Sequence, residues 1–331
     1  MLFRSGSVAI VSEQRLLVLG VGSELGSLAT AFLEEQSQFT DIVGIDVHPP
    51  RRRLRRTEFV RVEHAARAEL VRQVVAHRPD VLVHMGVWEP HARVGTSEAR
   101  AATGNYASAL CEALSHLRDL SRLVIRSGIE VYGARPAMVP DEHSPVAPTS
   151  TYGHMLSELE TMLRESASAT ATITTLRLAP VIGAHVPSPL GRLLRLPVVP
   201  IDPFSRAKFQ VVADDDAARA FAYAATHGHH GVVNVVAEEP TTVGAALRLG
   251  RRAMAPVLPR TWRIATAFTT LAGAPVPDHV AELLQHGRLA TSAVHNVEYR
   301  PTHSTPDVLA RLYSWPSVVR IGPHQPREQV A

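Results

Sequence analysis

Cysteine, lysine and aromatic side chains are all scarce in this chain of 331 residues. A lone cysteine, Cys111, excludes an intramolecular disulfide framework and fits a reducing compartment. It falls in a helical run between Leu110 and Leu114 and reads as a packed side chain. Lys208 is the only lysine, so the positive charge is almost entirely arginine, and the formal net charge is a modest +3. Aromatics make up 5% of the chain and none interrupts its one dense basic run, RRRLRR at 51–56. A nucleic-acid surface interleaves basic and aromatic side chains, so this run reads as a solvated loop and no nucleic-acid partner is expected. No apolar stretch reaches the ~18 residues that would span a bilayer. The opening MLFRSGSVAIVSEQR lacks the continuous apolar core and small-residue cleavage site of a secretory leader, which leads to the expectation of a cytoplasmic protein. Neither a cysteine cluster nor HExxH spacing supports zinc, and THGHHG (226–231) reads as a helix–strand turn, so no metal is expected.

What remains is ordinary globular material, 45% hydrophobic and 20% charged. Short apolar runs alternate with helical patterns, the mark of a parallel sheet with crossover helices. RLLVLGV (15–21), DIVGIDV (41–47), TEFVRVE (57–63), DVLVHMGV (80–87) and SRLVIRSG (121–128) read as strands. ELGSLATAFLEEQ (24–36), AELVRQVVAHRPD (68–80) and the stretch 97–118 read as the helices between them. A proline-rich loop (132–150) precedes a helix near Tyr152, and ATITTLRLAPVIG (171–183) is a further strand with its exit loop. Beyond residue 180 prolines cluster, and the clear pieces are KFQVVADDDAARAFAYAAT (208–226), a strand and helix, and the strand GVVNVVAE (231–238). Asp214, Asp215 and Asp216 read as caps of that second helix rather than a magnesium site. This predicts an α/β protein with a Rossmann-type doubly wound parallel sheet. Its parts are a tail (1–14), a nucleotide-binding domain (15–178), a smaller C-terminal α/β substrate part (179–315) that interleaves with the sheet, and a weakly ordered tail (316–331).

LGVGSELG (19–26) follows a strand and opens a helix, the context in which glycines let a backbone approach a pyrophosphate. Gly20, Gly22 and Gly26 are spaced GxGxxxG, and Asp46 ends the second strand. A carboxylate there accepts hydrogen bonds from an adenosine ribose and repels a 2′-phosphate, which favours NAD over NADP; Arg51 to Arg56 keep NADP as the lesser option.

In order and spacing these residues resemble an extended short-chain dehydrogenase/reductase of the NAD-dependent epimerase/dehydratase family, from about Arg15 to about Leu312. The matching stations are the glycine loop, Asp46, VRVEHAARAELVRQVVAHRPDVLVHMGV, Asn105, EVYG (130–133), Tyr152, LRLAPVIG (176–183), FQVVADDDAARA (209–220), GVVNV (231–235) and HGRLATSAVHNVEYRP. The likeness is to an arginine-rich, actinobacterial-type branch named for sugar-nucleotide epimerases. It implies NAD held by Gly20, Gly22, Ser23, Glu24, Leu25 and Gly26 at the pyrophosphate, and by Asp46, Val47 and His48 at the ribose. Glu63 and His64 would lie beside the adenine, Met85, Gly86 and Val87 along the cofactor, and Asn105, Ser127, Tyr152 and Pro180 complete the set. It also implies a nucleotide sugar as substrate and a homodimer.

The departures fall on the chemistry. Ser23 stands at the family's middle glycine, Gly128 at its catalytic serine or threonine, Leu156 at its lysine, and Ala213 at a common histidine; of the catalytic trio only Tyr152 remains. An unassisted tyrosine has pKa ~10, so about one in a thousand is phenolate at neutral pH, and a leucine supplies no charge to change that. Two readings stay open. One is an enzyme with a rearranged site that recruits Glu130, His154, Asp141 or Glu142 as base; the other is an NAD-binding protein without turnover, with a regulatory or scaffold role.

Overall fold

The computed structural model describes residues 13–134, 136–257 and 262–315. The expected tails, 1–14 and 316–331, lie outside these residues apart from Glu13 and Gln14. In chain order the first half runs β1 (Gln14–Leu19), α1 (Glu24–Glu34), β2 (Phe39–Asp46), β3 (Thr57–Arg61), α2 (Arg67–His77), β4 (Val81–His84), α3 (Thr96–Leu114) and β5 (Arg122–Gly128). A 3-10 turn (Ile129–Tyr132) and the proline-rich loop lead to α4 (Thr151–Ser166) and β6 (Thr172–Leu178). The second half runs β7 (Val181–Ile182), α5 (Pro189–Leu194), β8 (Val198–Ile201), β9 (Lys208–Phe209), β10 (Val212–Ala213), α6 (Asp214–His227) and β11 (Gly231–Val235). It closes with β12 (Thr241–Thr242), α7 (Val243–Leu249), β13 (Ala253–Pro256), α8 (Trp262–Leu271), α9 (Asp278–His286) and α10 (Thr305–Ser314).

Seven strands form one parallel sheet in the order β3-β2-β1-β4-β5-β6-β11, the doubly wound arrangement expected. Strand order reverses beside β1, and crevices at such a switch point, outside the carboxyl ends of the strands, are where ligands bind in this architecture. The central strands are apolar because both faces are covered: Leu16 to Leu19 and Val81 to Val83 are fully buried. The helix expected over 97–118 ends earlier, with Ser115 as its C-cap.

A second apolar cluster gathers Ile182, Leu193, Phe209, Leu247, Leu283 and Leu309. The chain leaves the sheet after β6, contributes to this second cluster, and returns at β11 to pair with β6. The short ladders β7–β10, β9–β12 and β8–β13 tie the second half together.

Candidate functional site

The first half of the site is assembled from the exit of β1. Gly20 takes φ +90°, and a Cβ there would come within 2.6 Å of Gly86 N and Met85 C, so β1 and β4 leave the sheet in backbone contact. Gly22 N donates to Asp46 Oδ2 (2.9 Å) and His48 N donates to Oδ1 (3.2 Å). A Cβ on Gly22 would overlap His48 O. Burial raises the Asp46 pKa, and the backbone N–H groups of His48, Gly22 and Val47 pull against it. Ser23, in the place of the family's middle glycine, has φ −74° and caps α1: its hydroxyl accepts from Gly26 N (2.9 Å) and donates to Gly20 O (3.0 Å). Leu25 packs into the core, while buried Glu24 in the first turn is paired with Arg52 (2.7 Å). Val47 is buried and His48 exposed at the end of β2.

Beside this loop, His64 packs edge-on to Trp88 (4.6 Å between centroids) and Tyr106 (5.5 Å). Burial pushes the His64 pKa down, and its buried Nδ1 has no hydrogen-bond partner among the described residues. Glu63 turns outward instead, exposed and paired with Arg61 (3.3 Å). Met85, Gly86 and Val87 are all buried. Gly86 N donates to His84 Nδ1 (3.3 Å), and His84 is held neutral, pushed down to about 3 by burial and then by Arg126. Asn105 is exposed on α3; the α3 side chain that reaches the β4 exit is Thr103, whose hydroxyl accepts from Trp88 N (3.0 Å).

The second half of the site lies at the end of β5. Gly128 leaves a gap that Glu130 fills: a Cβ at 128 would overlap Glu130 Oε2 and come within 3.1 Å of Leu156 Cδ1. Glu130 is buried and ion-paired with buried Arg288 (3.0 Å), which also reaches Glu282 (3.2 Å). Tyr152 is buried at the start of α4, and its pKa is raised by burial first and then by Glu89, with Glu130 adding to it and Arg126 opposing. His279, on α9, lies over the Tyr152 ring with centroids 4.7 Å apart. Glu89 and His279 carried no signal in the sequence, because their contact spans 190 residues; Arg288 lay in the matching stretch HGRLATSAVHNVEYRP, but nothing there named Glu130, 158 residues away, as its partner.

Under this cluster runs a buried polar chain. Ser127 donates to Glu160 Oε1 (2.5 Å), and Arg177 donates to Glu160 through Nε (2.9 Å) and Nη2 (2.6 Å). Arg177 also donates to the Tyr132 hydroxyl (2.9 Å), which donates to Asn234 Oδ1 (2.9 Å). Burial works against the Arg177 cation, but the bonds to Glu160 outweigh it and raise its pKa. Ser127 thus belongs to the floor of the site. Of the other bases considered, His154 is exposed, Asp141 caps a turn through Ser144, and Glu142 is taken up by Asn234 N, Ser292 and Ala293 N. Lys208 is exposed on β9, and Pro180 is half-buried with its carbonyl accepting from Val212 N (3.1 Å). A cleft of about 400 Å³, with Pro90, His91 and Pro277 in its wall, adjoins Glu89 and His279 along the chain. A second, of about 680 Å³, opens under the proline-rich loop at Tyr132 and Met138.

The N-cap of α6 is Ala213, with no side-chain cap bond, so the three aspartates lie in the first turn instead of capping it, and two of them, Asp215 and Asp216, form a clasp. Asp216 takes His303 Nδ1 (2.8 Å), Arg219 (3.0 Å) and Thr302 (2.7 Å), and Asp215 takes Arg311 (3.5 Å), so the carboxylates that could gather a cation with His303 are already answered by arginine. His227 stacks on Tyr223 (4.2 Å) and His229 lies edge-on to Tyr299 (6.0 Å). Among the described residues, no helix is long and apolar enough to cross a membrane.

A model of the NAD dependent epimerase/dehydratase family matches residues 16–236 of the chain. An uncharacterized protein of Mycobacterium tuberculosis (strain ATCC 25618 / H37Rv) is 29% identical over 254 residues, covering 73% of this chain and 67% of that protein. Among solved structures, UDP-glucose 4-epimerase from Brucella ovis in complex with NAD is similar at TM-score 0.69 and 18% identity, over 90% of this chain and 97% of that one. UDP-glucose 4-epimerase of Thermotoga maritima with UDP-glucose is similar at TM-score 0.67 and 17% identity, over 91% and 98%. At such identities the likeness speaks for the fold.

Proposed function

The chain belongs to the NAD dependent epimerase/dehydratase family, and from that premise we propose that it binds NAD and acts on a nucleotide-linked sugar or related hydroxylated substrate through a rearranged acid–base site. The adenosine half fits the cofactor. Asp46 lies at the end of β2 with its carboxylate already turned toward the glycine loop, and His64 keeps a buried Nδ1 without a partner, which supports a place for it in the adenine wall. The first turn of α1 offers its N–H groups to a pyrophosphate, with Arg52 answering the charge of Glu24. Asp46 disfavours a 2′-phosphate, which supports NAD over NADP.

When bound, NAD supplies reversible hydride acceptance; the chain must supply the proton chemistry. Glu130 fills the space beside Gly128 and acts electrostatically on Tyr152, so that Tyr152 would offer a hydroxyl and Glu130 a carboxylate that can accept a substrate O–H. The observation that carries this reading is the exchange at Gly128: the usual hydroxyl is gone, and a carboxylate fixed by Arg288 occupies its space. A site merely decaying would have no reason to keep a buried ion pair there, since burying charges costs more than packing apolar side chains.

The reading of an NAD-binding protein without turnover draws on one observation, the burial of Tyr152 beside Leu156, which opposes phenolate formation. The two part under mass spectrometry of co-purifying ligands, calorimetry with NAD, and assay against a panel of nucleotide sugars. NAD should bind, and Asp46→Asn should weaken it by about tenfold. Lack of NAD binding sinks both readings; NAD binding without conversion of any sugar in the panel leaves the second. A cytoplasmic setting and a homodimer remain part of the proposal, and gel filtration with light scattering reads the latter.

A further inference from the structure

One face of Tyr152 has lost its usual cation, because Leu156 is fully buried against Gly128. The ring's other neighbour is charged. His279, second residue of α9, lies over Tyr152 at 4.7 Å between centroids with the planes tilted 37°. Its Nε2 is 3.1 Å from Glu89 Oε1, on the segment leaving β4, and its Nδ1 is 3.7 Å from Asp278 Oδ1. Asp278 also accepts from Thr151 N (2.6 Å), so the start of α9 is fastened to the start of α4 and the two rings are held in register. Burial opposes a charged imidazole here, but the carboxylates of Asp278 and Glu89 outweigh it and push His279 up to about 9. The two carboxylates favour an imidazolium stacked on Tyr152, held by Glu89 at Nε2, while Nδ1 lies near Asp278 without a hydrogen bond.

Resting on the reading of this site as an NAD-dependent acid–base centre, we propose that His279 is a positioning residue that holds a cation against the Tyr152 ring, supplying from α9 the charge that Leu156 cannot supply from α4. The argument is one of placement. Glu89 binds the imidazole through Nε2, and Asp278 fixes the backbone N–H of His279 as well as flanking Nδ1. Together they anchor the proton without removing the cation from the stack. The other charges that face the pair are few. Glu130 and Glu89 favour the neutral phenol, and Arg126, whose guanidinium also donates to Val87 O (3.3 Å), favours the phenolate. Glu130 is itself answered by Arg288. Against that background His279 is the ring that packs directly on Tyr152, at 4.7 Å between centroids. Glu89 is what makes the device consistent: a buried histidine without it would be neutral and would leave the phenol unaided.

The test reads the phenol directly. Tyrosine is replaced throughout by a polyfluorinated analogue whose phenol ionises well below the ordinary range, and the ¹⁹F signal of Tyr152 is assigned by its absence in Tyr152→Phe. In His279→Gln the Tyr152 phenol should ionise about one to three pH units higher than in the wild type, the effect of removing an opposite charge at this range. His279→Arg should recover part of the difference. Equal ionisation in the wild type and His279→Gln overturns the proposal. Should His279→Gln fail to fold, ¹⁵N shifts of the His279 ring in the unaltered protein decide: an imidazolium at pH 7 upholds it and a neutral ring overturns it. NAD binding is measured in parallel, so that a protein that does not bind NAD removes the functional reading while the titration still decides the pairing.

Discussion

The proposed adenosine end and the proposed catalytic end lie along the same carboxyl edge of one sheet, yet they depart from the family's pattern in opposite ways. At the adenosine end the only departure is a serine for a glycine, and the backbone makes it harmless: Ser23 has φ −74° and caps α1 with its own hydroxyl. The parts are local, with Gly20 to Gly26 and Asp46 meeting through backbone hydrogen bonds. At the catalytic end two of three usual side chains are gone, and what stands in their place comes from a neighbouring turn and from far along the chain: Glu130, Arg288, Glu89 and His279. A motif that is lost in the sequence is thus not a site that is empty in space. In the proposed reading the first end keeps the family's pattern and the second is rebuilt.

If the catalytic end is rebuilt, its floor should be the costliest place to disturb. Arg177 and Glu160 are both buried and bonded twice, with Ser127 and Tyr132 attached. Arg177→Met removes one ion and leaves buried Glu160 with only the exposed Arg164 at 3.7 Å as counter-charge, so a loss of about 3 kcal/mol is expected from urea denaturation. A loss below about 1 kcal/mol would mean that the network is solvated and the floor is not rigid.

The two ends also respond to pH with opposite signs. His279 at the catalytic end has its pKa raised by its carboxylate partners to about 9 in the folded chain. Its contribution is fully present below ~6.5 and is lost as pH rises through about 9, amounting to about 3 kcal/mol between those limits. His64 and His84 at the other end are held neutral by burial, His84 down to about 3. Their unfolded forms bind protons that the folded forms refuse, so stability there falls as pH drops below ~6.5. Urea midpoints against pH should fall on both sides, and His279→Gln should flatten the alkaline limb alone. A variant that flattens the acid limb instead would reverse the assignment.

How much of this could be read beforehand follows the same division. β1 to β6, their helices and the glycine loop announce themselves because apolar runs and glycines are local signals. Gly128 and Leu156 were readable as losses, and Glu130 stood among four candidate bases without anything to single it out. Only the collision between Glu130 and a side chain at 128 does so, and that is a fact of packing. His279 could not be found, since a histidine near the start of a short helix has no pattern that names a partner 190 residues away at Glu89. The strand expected at the start of 208–226 divides into β9 and β10, while β8, β12 and β13 were missed because they are too short to show period-two alternation.

Two glycine replacements sharpen the contrast between a wall of backbone and a wall of side chain. In Gly22→Ala the new methyl meets His48 O and lies within 2.9 Å of Asp46 Cγ, neither of which can step aside without moving β2's exit. Destabilisation near the upper end of the ~1–3 kcal/mol usual for overpacking is expected, together with loss of NAD affinity. In Gly128→Ala the obstacle is the far end of the Glu130 side chain, held by Arg288. The cost should be nearer ~1 kcal/mol, and it should shrink in the Gly128→Ala/Glu130→Ala pair relative to the sum of the single changes. Additivity in that cycle would show that Glu130 does not occupy the space that Gly128 leaves. The expected non-additivity also means that Gly128→Ser with Leu156→Lys cannot rebuild the usual trio unless Glu130 moves.

The smallest expected effect bears on the adenosine end. Asn105 sits where a family-based reading places a cofactor contact, but it is exposed on α3, while Thr103, two residues earlier, accepts from Trp88 N at 3.0 Å. Trp88 in turn packs on His64 and Tyr106, so the threonine steadies the aromatic wall beside the glycine loop. Thr103→Val keeps the shape and leaves the Trp88 N–H unpaired, which should cost about 1 kcal/mol by urea denaturation. Asn105→Ala should lie within about 0.5 kcal/mol of the wild type and leave NAD affinity unchanged by calorimetry. If Asn105→Ala weakens NAD binding while Thr103→Val does not, the helix contact at this end runs through Asn105 after all, and the adenosine end is less fixed in the free protein than its hydrogen bonds imply.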